Sequence, residues 1–158
     1  MIIEIRKAQE SDYKICGTIG LDNYKSFIKK RGNWLASYAF KRYFSEERFI
    51  RRSKNQYDIY IACYQNKIVG FMELEKKEIL ASCYVKKDYH YLGIGTLLLK
   101  KAELLCLKGN KSSTYLSLEA SDYAIDFYKK KGYQTSKERK RLLGIDMTPM
   151  RKKIKELT

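Results

Sequence analysis

The sequence predicts an α+β fold, with helices layered against a mostly antiparallel sheet. Three observations carry that reading. Alternating apolar and polar stretches pair up between residues 58 and 85. A glycine pair, Gly93 and Gly95, opens an amphipathic helix directly afterwards, and strand-like segments return at the end of the chain. The order of elements is βααβββαβαββ.

Ile2–Lys7 alternates and reads as the first strand. Ser11 or Asp12 is placed to cap a helix in which Ile15 and Ile19 share a face. From Asn23 to Arg52 the chain is helical in character, aromatic and basic at once, with Tyr24, Phe27, Trp34, Tyr38, Phe40, Tyr43, Phe44 and Phe49. Asp58–Tyr64 and Lys67–Glu75, separated by Gln65-Asn66, form a hairpin, and Glu78–Val85 follows as the next antiparallel strand. Ile94, Leu98, Ala102 and Leu105 fall on one face of a helix that Lys108-Gly109-Asn110 ends. Thr114–Glu119 is a strand, and Asp122–Lys131 a short helix stopped by Gly132. Two strands, near Tyr133–Arg141 and Gly144–Lys152, complete the chain.

A length of 158 residues suits one domain, 1–158, and the sole proline, Pro149, leaves no linker to divide it. No stretch approaches the ~18 apolar residues of a membrane span. Glu4 and Arg6 interrupt any signal-peptide core at the start. The expectation is a cytoplasmic protein with no membrane partner. Cys16, Cys63, Cys83 and Cys106 include no C-x-x-C pair, and with His90 as the single histidine they offer no zinc set. They read as small buried hydrophobes, and no metal is expected. The formal net charge of +15 attracts polyanions, but its clusters are scattered along the chain. Nucleic acid is therefore a possible partner and not the favoured one.

Gly93-Ile94-Gly95 lies where a strand passes into a helix, a common setting for anion binding. Glycine lets a ligand approach the backbone, and unpaired helix N–H groups face the anion. A third glycine is missing and the first does not follow its strand directly, which argues against a dinucleotide fingerprint. No Gly-Lys-Ser/Thr follows, which excludes a P-loop. The stretch from Cys83 to Leu99, with His90-Tyr91-Leu92-Gly93-Ile94-Gly95-Thr96 at its centre, resembles the cofactor motif of the GNAT superfamily of acyl-CoA N-acyltransferases. That motif is a strand, a short crossing, then Gln/Arg-x-x-Gly-x-Gly/Ala opening a helix. Ala124-Ile125-Asp126-Phe127-Tyr128-Lys129-Lys130-Lys131-Gly132-Tyr133 resembles the family's A-x-x-F-Y-x-x-x-G-F signature, and Ile145–Lys152 its common last strand.

The resemblance implies a GNAT-like single domain whose mixed sheet is splayed between strands four and five, with helices on both faces. It implies acetyl-CoA as cosubstrate, its pyrophosphate held by backbone amides of Leu92, Gly93, Gly95 and Thr96 around Ile94. The strand through Tyr84 and Val85 would pair with the pantetheine arm. His90 stands in the Gln/Arg slot and reads as a support for the turn, Tyr91 stands where glycine is frequent, and Ser121 replaces a frequent asparagine.

Acetyl transfer to an amine needs a deprotonated nucleophile, a stabilised oxyanion and a proton for the leaving thiolate. The resemblance assigns that proton to Tyr128, singled out among fourteen tyrosines by its motif position alone. For the base, Glu73, Glu75, Glu78 and Glu119 are all open choices. The implied activity is N-acetyltransfer to a primary amine of a small molecule or peptide. An acyl-CoA-binding module without turnover and an RNA-associated acetyltransferase are the alternatives, and a homodimer is possible by analogy with the family.

Overall fold

The computed structural model describes residues 1–109 and 114–155; Asn110, read as part of the stop of the long helix, lies outside them. The elements are β1 (Glu4–Lys7), α1 (Tyr13–Asn23), α2 (Trp34–Tyr43), α3 (Glu46–Ser53), β2 (Tyr57–Tyr64), β3 (Lys67–Glu75) and β4 (Ile79–Val85). Then come α4 (Ile94–Gly109), β5 (Tyr115–Ser121), α5 (Ile125–Lys130), β6 (Gln134–Thr135), β7 (Lys140–Leu142) and β8 (Ile145–Lys153). β1 to β4 form an antiparallel meander, β4 runs parallel to β5, and β8 pairs antiparallel with β5, β6 and β7. The result is an eight-stranded mixed sheet in a single α+β domain.

The helices divide between the two faces. Leu98, Leu99, Ala102 and Cys106 of α4 pack with Val69, Met72, Leu74 and Leu116 from the sheet. On the other face Cys16 and Ile19 of α1 and Phe49 of α3 meet Ile59, Ile61 and Phe71. Alternation along β3 sends Met72 and Leu74 to one side and Phe71 to the other, and a bulge in its pairing with β2, where Ala62 faces Gly70 and Cys63 faces Ile68, shifts the parity so that Val69 joins Met72. The expected face of α4 is the buried one, with Ile94, Leu98 and Ala102 inside and Leu105 packed at its edge.

Several local readings change. Ile15 is exposed while Ile19 is buried, so the two do not share the inward face. The helix is turned by close packing: a Cβ on Gly17 would run into the carbonyl oxygen of Phe44, and one on Gly20 into the Phe44 ring. Asp12 makes no side-chain cap on α1. Its carboxylate accepts the Gln9 N–H at 2.8 Å and pairs with Arg6, also at 2.8 Å. The segment 23–52 is not one helix. α1 runs on through a π-helical turn, Tyr24–Ile28, and a 3₁₀ turn before Asn33 caps α2 by accepting the Ala36 N–H at 3.0 Å. The strand read near Tyr133–Arg141 is two short strands, both laid on β8.

Glu73 of β3 is fully buried between α3 and β4. One carboxylate oxygen accepts from Arg52 Nε at 2.7 Å and the other from the Ser82 hydroxyl at 2.7 Å. This buried pair ties α3 to the centre of the sheet.

Candidate functional site

The parallel pairing of β4 with β5 holds only at Ile79↔Ser117 and Leu80↔Leu118. Beyond it, β4 stays paired to β3 and β5 to β8, so the two strands separate towards their C-terminal ends. A cleft of about 620 Å³ fills the gap. Cys83, Tyr84 and Val85 line it from β4, Ser121 from the end of β5, and Phe127 and Tyr128 from α5.

The glycine loop closes one end. Tyr91, at φ 63°, and Gly93, at φ 82°, turn the chain through the left-handed region just before α4. Glycine takes that conformation without strain; the tyrosine takes it with its side chain 95% exposed. A Cβ on Gly93 would meet nothing within 4 Å, so the space over the loop is open. The Leu97 N–H bonds back to the Gly93 carbonyl, which leaves the N–H groups of Ile94, Gly95 and Thr96 as the first-turn donors of a 16-residue helix. His90, Tyr91, Gly93, Ile94, Gly95 and Thr96 all line the cleft; Leu92 points away and is half exposed. Lys130 and Lys131 add positive charge to the lining.

His90 holds the loop to the strand. Its Nε2 donates to the Val85 carbonyl at 2.8 Å, because a carbonyl only accepts, and Nδ1 is left to accept from the Tyr123 hydroxyl at 3.3 Å. Asn23 Nδ2 donates to the same carbonyl at 2.9 Å. The Phe27 ring stacks on His90 at 5.2 Å and on Tyr123 at 4.2 Å, bridging the glycine loop and the β5–α5 turn.

Tyr128 lies in the floor of the cleft, 8% exposed, edge-on to Phe127 and Tyr133. Burial, and then the neighbouring Cys83 and Tyr84, push its phenol well above the ordinary value. Burial likewise raises the Cys83 thiol to about 12, so it is a neutral lining group rather than a nucleophile. The four glutamates read as base candidates are elsewhere. Glu73 is sealed in its ion pair, Glu119 is exposed and paired with Lys140, and neither Glu75 nor Glu78 lines the cleft. The carboxylate in the cleft is Asp126. A second cavity of about 300 Å³ beside the cleft carries Asp122 and Asp146.

Asn23, Phe27 and Tyr123 went unread as site residues. Phe27 belonged to an aromatic run whose other members mostly pack in the core, and Asn23 and Tyr123 sit in no motif. The signal for Tyr123 was its place in the β5–α5 turn, directly before the Ala124–Tyr133 motif.

The chain matches the family model described as the acetyltransferase (GNAT) domain over residues 9–154. No curated protein sequence matches it. Among solved structures, a GCN5-related N-acetyltransferase from Rhodopseudomonas palustris superposes with a TM-score of 0.80 at 24% identity, covering 97% of this chain and 98% of that one. The PaiA N-acetyltransferase of Thermoplasma acidophilum, solved in complex with coenzyme A, gives 0.79 at 22% identity, with 97% and 99% covered. A GNAT-family acetyltransferase from Staphylococcus aureus gives 0.75 at 20% identity, with 98% and 100% covered. These likenesses establish the fold, and the match over residues 9–154 establishes the family: the chain belongs to the GNAT acetyltransferases and is an acyltransferase.

Proposed function

We propose that the chain, acting as one domain over residues 1–158, moves an acetyl group from acetyl-CoA to a primary amine by direct attack, with Tyr128 as general acid. The observation that carries this reading is the convergence on one cleft of two features of opposite chemical use. At one end stand the first-turn N–H donors of α4, flanked by Lys130 and Lys131; in the floor stands a phenol that stays protonated. Donors and positive charge suit a pyrophosphate. The open space over Gly93 and the gap beside Tyr84 and Val85 suit the rest of an extended acyl-CoA.

Acetyl-CoA supplies the acetyl group as a thioester. The residues of this chain would then act as follows. The amides of Gly93, Gly95 and Thr96 orient the pyrophosphate, joined by Leu92 through its backbone. β4 at Tyr84 and Val85 and the Ser121 end of β5 flank the arm, with His90 and Asn23 fixing the end of β4. The neutral amine nitrogen bonds to the acetyl carbon and gives up a proton to solvent. The C–S bond breaks, and Tyr128 protonates the departing sulfur before regaining its proton from water. All four cysteines are free, which accords with a reducing, cytoplasmic setting.

The test is acetyl-CoA-dependent thiol release over a panel of amines, in wild type and Tyr128→Phe. The substitution keeps the ring, so folding and acetyl-CoA affinity are expected to hold while turnover falls by ~10²–10⁴. Unchanged turnover would reduce Tyr128 to a packing residue. Acetyl-CoA binding with no thiol release from any amine would make the protein a binding module.

A further inference from the structure

The smaller cavity, about 300 Å³, shares Phe27, Ile28, Ser121 and Tyr123 with the cleft, so the two chambers meet across the Phe27–Tyr123 stack. We propose that this cavity is the acceptor subsite and that it selects a primary monoamine carried on an uncharged, apolar or aromatic stem. This assignment rests on the transferase reading above and deepens it.

Size comes first. A cavity of about 300 Å³ is at the small end of ligand sites and takes a body of roughly one ring and its side chain, not a folded segment. The walls come second. Ile28 and Ile145 are buried and present apolar surface, and Phe27 and Tyr123, stacked on each other, add aromatic surface. Phe27 and Ile28 are adjacent in sequence and still line the same cavity, because the π-helical turn Tyr24–Ile28 shifts the spacing of side chains at the end of α1. Aromatic and aliphatic surface favour an apolar stem.

Charge decides the rest. Asp122 and Asp146 line the cavity, and Arg139 donates to both at 2.7 and 2.8 Å. Arg141 grips Asp146 through two further bonds at 2.7 and 2.9 Å. The hydrogen bonds from Arg141, with the charge of Arg139, hold the Asp146 carboxyl down at about 2, so it is ionised throughout the working range. The two carboxylates in the wall can accept hydrogen bonds from an amine, but their charge is matched by Arg139 and Arg141, so the cavity has no spare cation for a carboxylate beside that amine and no spare anion for a second ammonium. Amino acids and polyamines are disfavoured for opposite reasons.

The experiment compares thiol release from acetyl-CoA with 2-phenylethylamine, phenylalanine and spermidine. Phenylalanine is the first amine with a carboxylate added, and spermidine is a polycation. The expected kcat/KM for 2-phenylethylamine exceeds both others by about tenfold or more, within what one mismatched group costs at a shaped site. Asp146→Asn, a residue of the smaller cavity and not of the cleft, is expected to narrow the gap between 2-phenylethylamine and phenylalanine while the KM for acetyl-CoA stays put. The wild-type comparison decides the acceptor class even if that variant fails to fold. Preference for phenylalanine or spermidine, or turnover of a peptide N-terminus without 2-phenylethylamine, overturns this assignment and leaves the transferase standing. Bound acetyl-CoA with no thiol release from these amines overturns this assignment, and with none from the whole amine panel it overturns the transferase reading as well.

Discussion

Burial holds the Tyr128 phenol in its protonated form, the form that the proposed role as general acid requires. An ordinary phenol titrates near 10 and is protonated at neutral pH with modest margin. In the cleft floor, loss of solvent disfavours the phenolate, and the thiol of Cys83 and phenol of Tyr84 add to the shift, so the margin widens. For the proposed general acid the protonated form is the working form, and a raised value preserves it to higher pH. Turnover is therefore expected to climb with pH as the acceptor amine loses its proton, with no descending limb from Tyr128 up to pH ~10. The pH profile of kcat in wild type and Tyr128→Phe checks this; a descending limb near pH 8 that the variant abolishes would contradict it. Tyr128 itself was legible in the sequence, because the F-Y pair precedes a glycine stop on a short helix. His90 was legible as well, as the support of the turn, but the carbonyl it holds and the second donor to that carbonyl were not. Asn23 and His90 converge on the Val85 carbonyl from 62 and 5 positions away, a meeting that follows from the turn of α1 against the sheet and leaves no local pattern.

At the scale of elements, the buried Arg52–Glu73 pair fixes α3 to β3 and, through Ser82, to the strand that borders the cleft. The Arg52 guanidinium also stacks over Tyr43 at 4.0 Å and donates to its carbonyl at 2.9 Å. Burial raises the Glu73 carboxyl above its ordinary value even with Arg52 pulling it down. An acid raised in the folded state stabilises the fold most when protonated, below its unfolded value, and that contribution is lost as pH rises through the folded value. Arg52→Met removes the opposing cation and leaves a carboxylate alone in the core. The expected loss at pH 7 is ~3–5 kcal/mol, the usual result of breaking one side of a buried pair. The loss is expected to shrink as pH falls towards 5, where Glu73 takes up a proton more readily. Urea unfolding at the two pH values reads the difference, and equal losses would mean that Glu73 is not charged at neutral pH. Alternation and glycine punctuation made the meander, α4 and α5 legible. The helical segment 23–52 was not, because it breaks around Gly32 and Ser45, where propensity is weak.

The whole molecule is a splayed sheet with one helix layer on each face, and its two cavities meet where the strands part. The net charge of +15 attracts polyanions at this scale, while in the smaller cavity Asp122 and Asp146 are matched by Arg139 and Arg141. Order of elements and the two motifs revealed the architecture in advance. The acceptor chamber was hidden, since its walls come from the ends of α1, β5 and β8, which only the folded sheet brings together. The central claim is that the loop before α4 is the cofactor seat, and ligand stabilisation tests it most directly. A ligand at ~100 times its Kd adds about 2.7 kcal/mol to stability. A Cβ on Gly95 stands 3.5 Å from the Phe127 ring, an ordinary contact, and the further methyl groups of Gly95→Val would fill space beside Phe127 and Val85, which both line the cleft. Acetyl-CoA is expected to raise the melting temperature of the wild type and to leave that of Gly95→Val unmoved. An equal rise in both proteins would contradict the seat at this loop.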